Sequence, residues 1–447
     1  MRLRPLFALL LGLQLAPVLA QESPSPQAPA VAPSDDPDAA ETAATKVPLE
    51  EIRRFVGVFD AVRQAYVDPV TDRKLMQSAV KGLLLDLDPH SAYLEKNDAQ
   101  AFDEETSGAY AGIGVEVQEQ PDGTIKIIAP IDDTPAARAG IKSGDVITAV
   151  DGKPVTDEDD DSQGPLRGAP GTKVTLTLER EGVAKPFDVT LQRETIRVAS
   201  VRGRTLAPGL GYIRIAAFQA DTAADFEHEL DVLQGPSGKA LHGLVLDLRS
   251  NPGGLLTSAV QIADDLLDAG RIVSTRGRIA VSDSQFNATP GDRLHGAPVV
   301  ALVDAGSASA AEVLAGALAD NRRARIVGSR TFGKGSVQTL LPLDNGDSVK
   351  LTTARYYTPS GKSIQARGIA PDVVLHPAAG APNGGHADYA EALLPGHLRG
   401  ETEGEAGSNA GDVLDGEAPV IAALAELRKM LPAATAASEP KAAAAKK

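Results

Sequence analysis

Two short segments of this 447-residue chain carry side chains suited to nucleophilic chemistry: D-A-G-S-A-S-A-A-E around Ser309, and T-F-G-K-G-S-V-Q around Lys334. The apolar run before Ser309 reads as a buried strand ending at Asp304. Two small residues then turn the chain, and a helix begins near Ser309. A serine on such a turn projects from a sheet edge. The helix N-terminus beside it offers free N–H groups and positive potential to a developing oxyanion. Ala308, Ala310 and Ala311 leave room for a substrate backbone. The same serine, with Glu312 three residues on, also fits a capping box in which the hydroxyl only satisfies a helix N–H. The segment permits either role.

A serine hydroxyl needs a base. The chain has seven histidines: His90, His228, His242, His295, His376, His386 and His397. None lies in an HExxH arrangement and no G-x-S-x-G turn occurs, but triad members need not be near in sequence, so a Ser–His pairing stays open. Lys334 is the other option. Gly333 and Gly335 flank it, where backbone can approach another group closely. To act as a base, a lysine must fall from about 10.4 towards roughly 7–8, which takes about 4 kcal/mol of differential desolvation, and burial can supply that. Gln338, four residues on, shares a face with Lys334 in either a helix or a strand and can orient the amine. Taken alone, the segment reads as readily as a surface lysine in a glycine turn.

The elements that must position these residues follow from pattern. Residues 1–20 have the parts of a signal peptide: Arg2 and Arg4, an apolar run from Leu6 to Leu15, and small residues at Val18 and Ala20. Pro17 closes the run short of the length needed to span about 30 Å. No Cys follows Ala20 to be acylated. Residues 21–47, rich in Pro, Ala, Ser and Asp, read as a disordered stalk. Residues 48–107 form an N-terminal helical segment, with Ile52, Phe55, Val58, Phe59 and Val62 on one stripe. Residues 108–192 are a Gly-punctuated set of short strands, with a short helix T-P-A-A-R-A-G ending on Gly140. In 193–378, strands such as H-G-L-V-L-D-L-R alternate with helices at Leu255–Leu267 and Ala310–Asp320, which indicates a layered α/β domain with strands covered on both faces. Residues 379–447 hold one helix, Ala418–Met430, and a low-complexity Ala/Lys tail.

Composition narrows the function classes. With 60 acidic and 44 basic residues the formal charge is −16, and −18 without the signal, which argues against nucleic acid or anionic membrane as a partner. The absence of Cys removes thiol nucleophiles, thiolate metal sites and disulfides.

The motifs G-S-A-S-A-A-E, F-G-K-G-S-V-Q and Y-Y-T-P-S-G-K-S-I-Q-A-R-G-I-A-P-D, with D-L-R-S-N-P-G-G and L-D-P-H-S-A-Y-L in the same order, resemble the carboxyl-terminal processing protease family. These are Ser–Lys peptidases of the tail-specific type, and the resemblance covers about residues 47–376. It implies a multidomain α/β and β fold: a crotonase-like α/β protease core with an inserted PDZ domain and a helical N-terminal segment. It implies Ser309 as nucleophile, Lys334 as general base and Gln338 as the residue positioning it. The oxyanion hole would take the backbone N–H groups of Ala310 and of Gly253, which the sequence does not separate from Gly254. In the PDZ domain, Gly112, Ile113, Gly114 and Val115 would present N–H groups to a peptide carboxylate, the peptide adding as an edge strand. Arg167 would act as a regulatory link between PDZ and protease domains, against the reading of a plain surface Arg.

The resemblance further implies a serine endopeptidase, without metal or organic cofactor, that cleaves proteins near exposed non-polar C-terminal tails; the signal and stalk without a lipidation Cys point to export into a periplasm. Its partners would be protein or peptide substrates, an adaptor protein and further copies of itself, with no nucleic acid. The alternative is an inactive protease-like scaffold that binds partner C-termini through PDZ. Intact Ser309, Lys334 and Gln338 favour the enzyme. Two departures stand out: Ala311 replaces a second serine of the family motif, and the acidic T-D-E-D-D-D-S-Q-G-P-L replaces an amphipathic helix that forms one wall of the peptide groove.

Overall fold

The computed structural model describes residues 47–120, 122–155, 164–235, 240–377, 390–401 and 411–432. The expected signal, nearly all of the stalk, the acidic run 156–163 and the terminal tail lie outside the described residues. The chain divides into two units, residues 1–77 and 78–447. In the first, helix α1 (Leu49–Ala65) carries the expected stripe, but Ile52, Phe55 and Val58 are exposed and the helix buries no residue. Helix α2 (Asp72–Leu85) follows.

In the second unit β1 (Ala92–Leu94) and α3 (Lys96–Ser107) lead into a β module. Its elements are β2 (Ala109–Gly112), β3 (Val115–Glu119), β4 (Ile125–Pro130), α4 (Pro135–Arg138), β5 (Val146–Val150), β6 (Lys153–Pro154), β7 (Lys173–Glu179), β8 (Phe187–Gln192) and β9 (Glu194–Arg197). An antiparallel sheet in the order β3-β4-β5-β7-β8, with β6 on β5, closes round Ile125, Ile127, Ile147, Val174, Leu176 and Leu178. The period-two alternation along β7 puts Val174, Leu176 and Leu178 on the inner face. Gly140 takes φ +75° beyond α4, the left-handed stop expected of it. Strands β2 and β9 pair antiparallel from Ala109↔Arg197 to Gly112↔Glu194, so the module enters and leaves through one two-stranded ribbon.

The rest of the second unit is a layered α/β body. It comprises β10 (Val201–Ala207), β11 (Leu210–Ile215), α5 (Thr222–Gln234), β12 (Gly243–Asp247), α6 (Leu256–Leu266), β13 (Arg271–Gly277), β14 (Ser284–Asn287), β15 (Val299–Val303) and α7 (Ala310–Asp320). After these come β16 (Ala324–Gly328), β17 (Ser336–Pro342), β18 (Ser348–Tyr357), β19 (Val373–Val374) and α8 (Ala418–Met430). The main sheet runs β10-β11-β12-β15-β16-β19 and is parallel from β11 onward. Every residue of β12 and β15 is buried, because helices cover both faces. Leu244 and Leu246 belong to one core with Phe226, Leu230, Ile262 and Leu314. Val245, Val300 and Leu302 belong to another with Val420, Ala423 and Leu427 of α8. A second sheet, β1-β18-β13-β14 with β17 on β18, carries the segment after Lys334. Through Ala92↔Lys350, β1 brings residues that precede the β module back to the α/β body.

The Ala418–Met430 helix is therefore not an unpartnered face: its apolar side is taken up by the sheet. Leu427→Ala should cost about 2–5 kcal/mol, the range for emptying a buried leucine site. Urea unfolding would measure it, and a loss well below this range would contradict docking of α8.

Candidate active site

Ser309 stands between β15 and α7 with φ +54° and ψ −115°, and only 8% of its surface is exposed. A non-glycine residue held at positive φ costs about 1–3 kcal/mol and persists only where its surroundings over-determine it. Here they do. Ser307 Oγ donates to Leu248 O (2.7 Å), and Ala308 N–H donates to Asn251 O (2.9 Å). Phe332 N–H donates to Ser307 O (3.0 Å). A strained strand-to-helix turn, of the kind a nucleophile elbow uses, is thus built without the G-x-S-x-G motif, with alanines as the small neighbours.

Glu312 is the capping-box partner of Ser309, and the half with ordinary hydrogen-bond geometry runs from Ser309 N–H to Glu312 Oε2 (2.8 Å). The same Oε2 accepts from Lys334 N–H (2.9 Å). Oε1 accepts from Gly333 N–H (2.7 Å) and Thr331 Oγ (2.5 Å). Glu312 has no exposed surface, and burial pushes its carboxyl up to about 7, while these four hydrogen bonds pull the other way. One carboxylate thus joins the Ser309 backbone to the loop that bears Lys334. From sequence Glu312 was readable only as a cap, because its other partners lie about twenty residues downstream.

Lys334 is half-buried, and among the described residues its amine makes no hydrogen bond or ion pair. Burial pushes the amine below the ordinary lysine value, and the positive charge of Lys350 on β18 adds to this; Glu391, Glu312 and Asp88 oppose it. The close backbone approach anticipated for the flanking glycines is present at Gly335, where a Cβ would lie 2.2 Å from Gln365 N. Gln338 lies on β17 beyond a bulge between Val337 and Gln338. Its amide donates to Ser336 Oγ (3.0 Å) and Thr352 Oγ1 (3.2 Å), so the strand-face argument linking it to Lys334 is interrupted by the bulge and no bond joins them.

Of the two expected oxyanion donors, Ala310 N–H makes no hydrogen bond among the described residues. Gly253 N–H instead donates to Asn251 Oδ1 (2.8 Å), as an Asn followed by a turn commonly arranges. Gly253, at φ +103°, packs so close to the turn that a Cβ would fall 2.8 Å from Ser309 Cβ. Gly254 N–H is without a hydrogen bond among the described residues.

In the β module, β3 is an edge strand. Gly112, Ile113, Gly114 and Val115 line a cavity of about 350 Å³ at its start, together with Leu166 and Arg167. A Cβ on Gly114 would strike Thr134 at 2.3 Å, so only glycine fits there. Arg167 pairs with Glu104 of α3 and lies 5.5 Å over the Tyr110 ring, at the ribbon where the module joins. Among the described residues no group of three or more His, Asp or Glu side chains is arranged to hold a metal.

The Peptidase family S41 model matches residues 209–375, and the PDZ domain model matches 111–191. A carboxy-terminal-processing protease of Bartonella bacilliformis is 43% identical over 363 residues, covering 80% of this chain and 83% of that one. The carboxy-terminal processing protease CtpA of Bacillus subtilis is 37% identical over 317 residues, covering 70% and 67%. The solved photosystem II D1 C-terminal processing protease is 32% identical and covers 74% of this chain and 94% of that one, with a TM-score of 0.43.

Glu312→Gln offers one acceptor oxygen where four donors converge, so the two loops should part. We expect kcat to fall about 10²-fold, as for a misplacement near 1 Å, in a steady-state peptide assay. Full activity in this variant would contradict the bridging role.

Proposed function

Because the chain belongs to the carboxy-terminal processing proteases of peptidase family S41, and is a serine peptidase carrying a PDZ domain, we propose that Ser309 is its nucleophile and Lys334 its general base. The observation that carries this is Glu312 Oε2, which accepts from both Ser309 N–H and Lys334 N–H and so holds the two segments together. Neutral Lys334 Nζ takes the Ser309 Oγ proton as Oγ attacks the scissile carbonyl. The oxyanion is met by Ala310 N–H and by Gly253 N–H, for which the arriving oxygen competes with Asn251 Oδ1. Lys334 then gives the proton to the leaving amine, and water releases the acyl group by the same route in reverse. Gln338 supports the site from the Ser336 and Thr352 side.

The domain division is proposed as PDZ over 108–192 and protease core over 193–378, the latter crotonase-like. The substrates are proteins or peptides with exposed C-termini. The free β3 edge and the apolar cavity at Gly112–Val115 suit an added strand with a non-polar end. Arg167 would couple this module to α3. An adaptor and self-association are further proposals, the exposed α1 stripe favouring the second. Periplasmic export is proposed from residues 1–20; among the described residues no helix is long and apolar enough to cross a membrane.

Ser309→Ala and Lys334→Ala should each abolish cleavage of an unfolded tailed protein while circular dichroism stays unchanged; full activity in either would overturn the mechanism. The base must be neutral, so kcat/KM should rise with pH through the lowered pKa of Lys334. Lys350→Met removes a charge that disfavours the protonated amine. The rising limb should therefore move to higher pH, and an unmoved limb would rule out Lys350 as a contributor.

A further inference from the structure

The backbone around Lys334 is tied on a second side by a chain of side chains that the proposed mechanism does not use. His90 Nε2 meets Glu391 Oε2 at 2.8 Å, and Glu391 Oε1 accepts from Gln365 Nε2 at 2.8 Å. Gln365 Oε1 accepts from Gly335 N–H at 3.0 Å. Glu391 also donates its own N–H to Phe332 O at 3.0 Å, gripping the loop at a second point. His90 is itself fixed: its N–H donates to Asp88 Oδ1 (2.8 Å), and Asp88 also accepts from Ser91 Oγ (2.8 Å) and Thr352 Oγ1 (3.1 Å). Glu391 is fully buried and His90 partly so.

We infer that His90 is a positioning residue for the base: through Glu391 and Gln365 it fixes the Gly335 end of the loop whose other end Glu312 holds. The inference rests on Lys334 being the base. The physical reason is that Glu391 can present Oε1 to Gln365 only while Oε2 is engaged. Without His90, a fully buried carboxylate oxygen loses its partner, and the carboxylate rotates or draws in water. Gln365 Nε2 then keeps only Leu398 O (3.0 Å) as partner, and the amide, held at one point, can turn its oxygen away from Gly335. Among the described residues Lys334 has no hydrogen bond of its own to hold its amine, so the backbone anchors set its place.

The test compares kcat and KM of wild type, His90→Ala, His90→Gln and Lys334→Ala on one peptide substrate. His90→Ala should lower kcat about tenfold or more with KM nearly unchanged. His90→Gln keeps an N–H for Glu391 and cannot take a proton at neutral pH, so it should regain most of the loss. Gln365→Leu should resemble His90→Ala, and the double variant should be no slower than the slower single. The inference is overturned if His90→Ala keeps its kcat, if additive losses separate His90 from Gln365, or if His90→Gln is as inactive as Lys334→Ala, which would make His90 a proton carrier. Should His90→Ala fail to fold, Gln365→Leu decides from the other end of the chain: loss of kcat supports it and retention overturns it. Activity in Lys334→Ala would instead defeat the assignment of the base.

Discussion

The Glu312 carboxylate is fully buried, and every backbone group it holds belongs to the Ser309 turn or to the loop of Gly333 and Lys334. Those three N–H groups would otherwise be buried donors without partners, each costing about 1–3 kcal/mol. The carboxylate in turn is tolerable in the interior only because the donors converge on it. Each side needs the other, so Glu312 ties the Ser309 turn to the Lys334 loop. The positive φ of Ser309 is held by the same arrangement, with Ser307 and Ala308 pinned to the turn after β12.

Around this link the electrostatics are balanced. Burial and Lys350 favour a neutral Lys334 amine, while Glu312, Glu391 and Asp88 favour a charged one. A lysine surrounded only by carboxylates would stay protonated, and one buried without them would lack the polar scaffold that locates it. The side chains that do the locating pair with each other: Glu391 with His90 and Gln365, Asp88 with Ser91 and Thr352. Their charge is thereby partly answered before it reaches the amine.

The β module is connected to the body in a way that keeps its own core separate. Its inner side chains form one cluster, and chain entry and exit share the β2–β9 ribbon. Arg167 sits at that ribbon, on Glu104 and Tyr110. Helix α3, which carries Glu104, also bears Phe102, whose ring lies 5.5 Å from Lys350 Nζ. One helix therefore touches the module's junction at one position and Lys350, a charged neighbour of Lys334, at another.

By itself the sequence determined the local pieces. The apolar runs define the strands of the main sheet, and the small residues around Ser309 define a strand-to-helix turn. Gly335 marks a close backbone approach, because each depends on the neighbours of one residue in the chain. Family motifs singled out Ser309 and Lys334 as the pair to consider, which spacing alone did not. Tertiary structure decided the rest. It made Glu312 a bridge as well as a cap, and it partly withdrew the Lys334 amine from water. It occupied Gly253 N–H with Asn251, and it joined His90 to Glu391 across 301 positions of sequence. Burial, charge and hydrogen bonding act through distances in space, and between residues so far apart in the chain only the packed fold sets those distances.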